Sequence, residues 1–209
     1  MKLVEPHHGS AIIMESWDNM QIIDKITVAN NKINDNEIGL DVQNKTKDIE
    51  IFDNEATDNF SIISCSGTCN IYNNKIKNAA LRVMVEESAY SNGRRVNKAI
   101  VKDNNLINSE LYILNVENVA ILSNKIYNSS ISIYATDCII DKNKVKNLDE
   151  VRNWALRYGV LNFNKAKYNV YLGENEYEGN FREKENIMIE SVVVNRENIY
   201  EYYKEKFEN

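Results

Sequence analysis

The chain has 209 residues, 43% of them hydrophobic, a formal net charge of −6 and a sequence pI near 5.1. That is enough apolar material for one sizeable core. Its 25 lysines and arginines are scattered along the sequence, which argues against a nucleic-acid partner, and no run approaches the roughly 20 apolar residues that span a bilayer.

Residues 1–10 have no apolar stretch of signal-peptide length, so the chain as given carries no address of that kind. Ser10 to Ser16 (SAIIMES) reads as the inward strand of a coil whose earlier half is absent, so a longer parent chain, or a partner over that end, is expected. Asparagine fills 33 positions against seven glycines and one proline, a bias that calls for a structural use of Asn.

The use shows in a phrase, apolar-x-apolar-x-x-Asn-x-apolar, that recurs along nearly the whole chain. Its copies run Ile26 to Ile33, Ile49 to Ala56, Cys69 to Ile76, Ile100 to Ile107, Val119 to Ile126, Cys138 to Val145 and Val170 to Tyr177. The anchors are Asn31, Asn54, Asn74, Asn105, Asn124, Asn143 and Asn175, separated by 23, 20, 31, 19, 19 and 32 residues. A coil of about 20 residues with two insertions accounts for those steps.

Each copy opens with period-two alternation, as in Ile26/Val28 and Val119/Ile121, which buries one face of a short leading strand. Parity breaks at Asn, and an apolar residue returns two positions later, so the chain turns a sharp corner there. Asn is the non-glycine residue best suited to the left-handed conformation of such a corner, and stacked Asn amides can bond to one another in a ladder. A further return strand follows about seven residues on, at Ile38 to Val42, Phe60 to Ser64, Leu81 to Val85, Leu111 to Leu114 and Ile131 to Ala135. Cys69 and Cys138 then share an inward column with Ile26, Ile49, Ile100 and Val119, as core fillers and not as disulfide or zinc ligands. Lys102 breaks the next inward column, so either Val101 turns inward through a local bulge or the register differs there, and the bulge is the expectation.

The expected fold is therefore all-β, a right-handed parallel β-helix of about seven to eight coils over residues 1–194. Residues 195–209 follow as a C-terminal capping helix that places Ile199, Tyr202, Tyr203 and Phe207 on one face. The second insertion, Asn147 to Tyr158, spaces Leu148, Val151, Trp154 and Leu156 as a helix would, so Trp154 reads as packing.

These Asn-corner repeats resemble the pectate-lyase-like superfamily of right-handed parallel β-helices, over about residues 10 to 194. Its architecture also occurs in phage tail spikes and serves several chemistries. Three patterns that the resemblance implies can be tested. Of the polygalacturonase motifs only His7-His8-Gly9 offers a partial match, and no pair of carboxylates suits acid–base hydrolysis. Of the pectate-lyase pattern, Asp41 stands on the outward face of a return strand, while Asp48, Asp53 and Asp58 lie near corners without converging on a calcium site. Neither a metal nor a cofactor is expected, and no catalytic residue is assigned.

The third pattern is recognition, because Tyr offers a sugar ring both an apolar face and a hydroxyl. Outward positions of the return strands include Arg82, Tyr112, Tyr134 and Arg157, and the insertion Glu86 to Lys98 adds Tyr90, Arg94 and Arg95. These seven form the expected ligand-binding set, for a polysaccharide or surface glycan. The leading expectation is a carbohydrate-recognition or adhesion module of a larger secreted, cell-surface or virion protein, which could assemble with copies of itself or with upstream coils. The alternative is a polysaccharide lyase or glycoside hydrolase whose site is shared with those coils.

Overall fold

The computed structural model describes residues 10–15, 23–34, 38–43, 46–57, 59–62, 65–84, 96–147, 154–159, 169–179, 181–182 and 203–208. Apart from a terminal helical turn at Lys204–Glu208, every regular element among them is a β-strand. All the strand pairings are parallel, which makes the chain a parallel β-solenoid.

Three strand stacks build it. The leading stack contains Ile23–Ala29, Thr46–Phe52, Cys65–Tyr72 and Val96–Lys102, then the second halves of the long strands Glu110–Leu122 and Ser130–Asp141, and last Asn169–Leu172. The short stack is a seven-stranded sheet of Lys32–Ile33, Glu55–Ala56, Lys75–Lys77, Asn105–Ile107, Lys125–Tyr127, Lys144–Asn147 and Glu176–Gly179. The return stack contains Ser10–Glu15, Ile38–Gln43, Asn59–Ile62, Ala80–Met84, the first halves of the two long strands, Trp154–Gly159 and Phe181–Arg182.

The inward columns follow from this register. One passes through Ile26, Ile49, Cys69, Ala99, Val119 and Cys138, the next through Val28, Ile51, Ile71, Val101, Ile121 and Ile140. Both are buried throughout and join one core with Leu81, Leu111 and Ile131 of the return stack. Cys69 and Cys138 are free, buried thiols there, and burial pushes the Cys138 thiol far above its ordinary pKa, with Asp137 adding to the effect.

Four sequence expectations are corrected at the fourth copy. The ladder residue is Asn104, not Asn105, and the inward residues are Ala99 and Leu106, not Ile100 and Ile107. With that shift of one residue, Lys102 falls opposite Tyr72 and Leu122 at an outward position, and pairing from Lys98 to Lys102 runs without a bulge. A charged side chain in the inward column would have been costly to bury; the one-residue shift removes the conflict.

The ladder itself runs Asn31–Asn54–Asn74–Asn104–Asn124–Asn143–Asn175. From Asn31 to Asn143 the backbone N–H and the side-chain Nδ2 both donate to Oδ1 of the next rung, at 2.9–3.1 Å. At Asn31, Asn54, Asn74, Asn104, Asn143 and Asn175 Nδ2 also donates to the carbonyl two residues back, and from Asn54 onward Nδ2 donates to a carbonyl of the preceding coil, such as Val28 O for Asn54. The left-handed conformation belongs to another residue: Asn30, Asp53, Asn73, Asp103, Ser123 and Lys142, each one position before a ladder Asn, carry φ of 53–59°. One residue bends the chain and its successor fills the ladder.

A second left-handed column, Asn78, Asn108 and Asn128, turns the short strands into the return strands. Behind it the buried Ser109 and Ser129 repeat the ladder logic with hydroxyls. Ser109 N donates to Ser129 Oγ at 2.9 Å, and Ser109 Oγ donates to Ile107 O at 2.7 Å. Asn-Ser at 108–109 and again at 128–129 was the sequence signal for this corner.

Two expectations about the C-terminal third also change. Trp154–Gly159 is a strand paired with Ser130–Asp141, so the helical spacing read into Asn147 to Tyr158 does not hold there. The described part of the C-terminal segment, residues 203–208, makes lateral contacts: Tyr203 and Phe207, like Leu122, pack against Ile139. Ile139 lies between the inward Cys138 and Ile140 and faces away from the main core, so this turn covers the flank of the leading stack. Residues 195–202 of the expected capping helix lie outside the described residues.

Candidate functional site

The outward face of the return stack was the place expected for ligand contact. Register puts Asp41, Ser61, Arg82, Tyr112, Ser132 and Arg157 at successive places in one line. With parallel strands about 4.8 Å apart, Arg82 and Tyr112 are one rung from each other and Arg157 is two rungs beyond Tyr112. Arg82 and Tyr112 are half-buried. Tyr134 is not in that line: it pairs with Leu114 and Gly159, two residues further along the strand. The expected Arg82–Tyr112–Tyr134 column is therefore replaced by Arg82–Tyr112–Ser132–Arg157. The error came from counting sequence offsets instead of strand register.

Tyr90, Arg94 and Arg95, in the first insertion, and His7 and His8 lie outside the described residues. The strands on either side fix where the insertion belongs. It joins Ala80–Met84 of the return stack to Val96–Lys102 of the leading stack. Residues 160–168 join Trp154–Gly159 to Asn169–Leu172 at the same corner. In the two coils between, Glu110–Leu122 and Ser130–Asp141 pass this corner as single strands, with a register shift between Leu114 and Val116. The two longest connections, 85–95 and 160–168, thus fall at one edge of the return stack, and a shorter one, 148–153, falls at the other.

Asp48, read as a corner residue without a calcium partner, has a structural use. Its Oδ1 accepts the backbone N–H of Thr68 at 2.9 Å and lies where a Cβ on Gly67 would stand. Asp141 repeats this one end of the stack later, accepting from Glu174 N at 2.7 Å beside Gly173. Among the described residues no group of three His, Cys, Asp or Glu side chains converges on a point that could hold a metal.

Two features of the outward surface escaped sequence reading. On the leading stack Phe52 and Tyr72 stack at 4.9 Å with planes 4° apart, and Lys102 Nζ lies 5.4 Å from the centre of the Tyr72 ring. Burial, with Glu50 and Asp53 nearby, holds the Tyr72 hydroxyl above its ordinary pKa. On the short stack, lysines far apart in sequence come together: Lys75, Lys125 and Lys144 share one outward column with Asn105, and Lys77 and Lys146 share the next with Ile107 and Tyr127. Comparison of the chain with protein-family models, curated proteins and solved structures finds no match.

Proposed function

We propose that this chain is a non-catalytic, β-helical carbohydrate-recognition module of a larger surface, secreted or virion protein. The observation that supports it is the register line Arg82–Tyr112–Ser132–Arg157, which brings a tyrosine and two arginine positions onto one line of the return stack at rung spacing. That spacing is comparable with the length of one pyranose in an extended chain, so successive rungs can meet successive sugars. The corner beside the track receives the insertion containing Tyr90, Arg94 and Arg95. The finer parts of the reading belong here too: a right-handed coil, as parallel crossovers prefer, about seven coils for seven ladder rungs, and kinship of architecture with pectate-lyase-like proteins.

The test is a glycan array probed with the 209-residue chain, with reducing-end release measured on every hit. Binding without release is the expected result, and the Arg82→Ala/Tyr112→Ala double variant should bind at least tenfold more weakly, a loss of about 1.4 kcal/mol. Undiminished binding by that folded variant removes the track from the account, and release of reducing ends makes the chain an enzyme.

A further inference from the structure

The Asn ladder has a direction, and so it has two different ends. Each rung from Asn54 to Asn175 receives a backbone N–H and an Nδ2 at its Oδ1, whereas Asn31 Oδ1 receives no donor among the described residues. The residue after each rung repeats the pattern in the backbone: Glu55 N–H donates to Asn31 O, Lys75 N–H to Asn54 O, and so on to Glu176 N–H on Asn143 O. Lys32 N–H, first in that series, has no acceptor among the described residues, and Asn175 O, last in it, has no donor. Asn175 N–H and Nδ2, with no further rung to meet, turn back to Gly173 O at 3.1 and 3.4 Å. One end thus offers an acceptor at Asn31 and a donor at Lys32, and the other offers two donors and an acceptor at Asn175, groups that seek partners wherever they are withdrawn from water. Both terminal asparagines are half-buried.

The strand edges around them match in the same way. At the first end Ile23–Ala29, Lys32–Ile33 and Ser10–Glu15 each pair on one side only, as Asn169–Leu172 and Glu176–Gly179 do at the last. In the return stack Phe181–Arg182 pairs with residues 154 and 155 alone, which leaves an open edge at residues 156–158. Register puts those three in the columns of residues 12–14. The described C-terminal turn packs laterally, on Ile139, and not across this end. Charge agrees: the outward column of the short stack begins at exposed Lys32 and ends at exposed Glu176. Neighbouring rungs of that column already pair, Lys75 with Glu55 at 3.1 Å and Lys144 with Glu176 at 3.2 Å. Ile26, Val28 and Ile33 are buried, so the first end lacks bond partners along its perimeter and not apolar cover.

We propose that the partner of these ends is a second copy of this chain, with the Asn175 end of one copy docked on the Asn31 end of the next at a strand spacing of about 4.8 Å. Asn175 N–H and Nδ2 then donate to Asn31 Oδ1, Lys32 N–H donates to Asn175 O, and Glu176 meets Lys32. Three parallel seams close at once, one in each stack, because unpaired strand edges are templates for another chain. The two surfaces differ, so the contact is heterologous, and along a straight rod it extends without closing. It involves the ends of the rod and is independent of the return-strand track.

The experiment follows the intact 209-residue chain by sedimentation velocity from micromolar to millimolar concentration at low salt, with electron microscopy of the assembled fraction. Growth past the dimer without a plateau, into rods of constant width, is the expected result. Lys32→Pro is the sharpest variant. The Lys32 N–H has no partner among the described residues, and an edge strand tolerates proline where its N–H faces outward. Its melting temperature should therefore hold while the concentration for half-assembly rises at least tenfold. Lys32→Glu and Glu176→Lys should each weaken assembly, and an equimolar mixture should restore it, since every contact in the mixture can join opposite charges. A chain that stays monomeric at millimolar concentration, a dimer that grows no further, undiminished assembly of folded Lys32→Pro, or a mixture no better than its components overturns the proposal. The charge-reversal pair keeps it testable if Lys32→Pro fails to fold.

Discussion

At the scale of single residues, this solenoid divides labour between neighbours that look alike in sequence. In Asn30-Asn31 and Asn73-Asn74 the first Asn takes the left-handed corner and the second joins the ladder. In Asp103-Asn104-Asn105 the same rule, applied to the Asn pair, selects Asn105, but Asp103 already occupies the corner and Asn104 is the rung. Asn105 faces outward instead, with its Oδ1 buried and lacking a hydrogen-bond partner among the described residues. The glycines follow similar logic where a carboxylate crosses the backbone. A Cβ on Gly67 would meet both Asp48 Oδ1 and the Lys47 carbonyl oxygen, and backbone cannot swing away as a side chain can. Gly67→Ala should therefore cost about 2 kcal/mol or more, whereas Gly173→Ala, whose close neighbours are all Asp141 side-chain atoms, should cost less. Urea denaturation of the two variants checks the order, and equal midpoints would contradict it.

At the scale of elements, alternation was readable wherever a strand buries one face, which is why the leading columns, except at the fourth copy, and Cys69 and Cys138 fell correctly into the core. Alternation says nothing about which strands lie side by side on the outer surface. For that reason the Arg82 track was misassembled at Tyr134 and the lysine strip was missed. The C-terminal segment shows the same limit. Its apolar spacing was legible, but the surface that receives Tyr203 and Phe207 exists only once Leu122 and Ile139 are stacked from different coils. Replacing Tyr203 and Phe207 together by Ala should uncover that flank, lower stability by about 2 kcal/mol or more, and promote self-association. Calorimetry with sedimentation velocity measures both, and a variant as stable and monodisperse as the parent would show that the turn protects nothing.

At the scale of the whole molecule, one ladder ties the coils together. Five of its rungs, Asn54, Asn74, Asn104, Asn124 and Asn143, are 2% exposed or less. Each gives its Oδ1 to two donors of the preceding rung, so losing one amide strands a buried backbone N–H and a neighbour's Nδ2 at once. The parallel fold was legible because this repeat recurs so often that a misplaced copy does not hide it. The register was less so, because single spacings of 30 or 31 residues are both compatible with an insertion. The measurement that tests the account most directly compares Asn104→Leu with Asn105→Leu by equilibrium unfolding. The ladder predicts a loss of about 1–3 kcal/mol for Asn104→Leu and a change within about 0.5 kcal/mol for the outward Asn105→Leu. Equal losses, or a larger one at Asn105, would contradict both the register and the ladder.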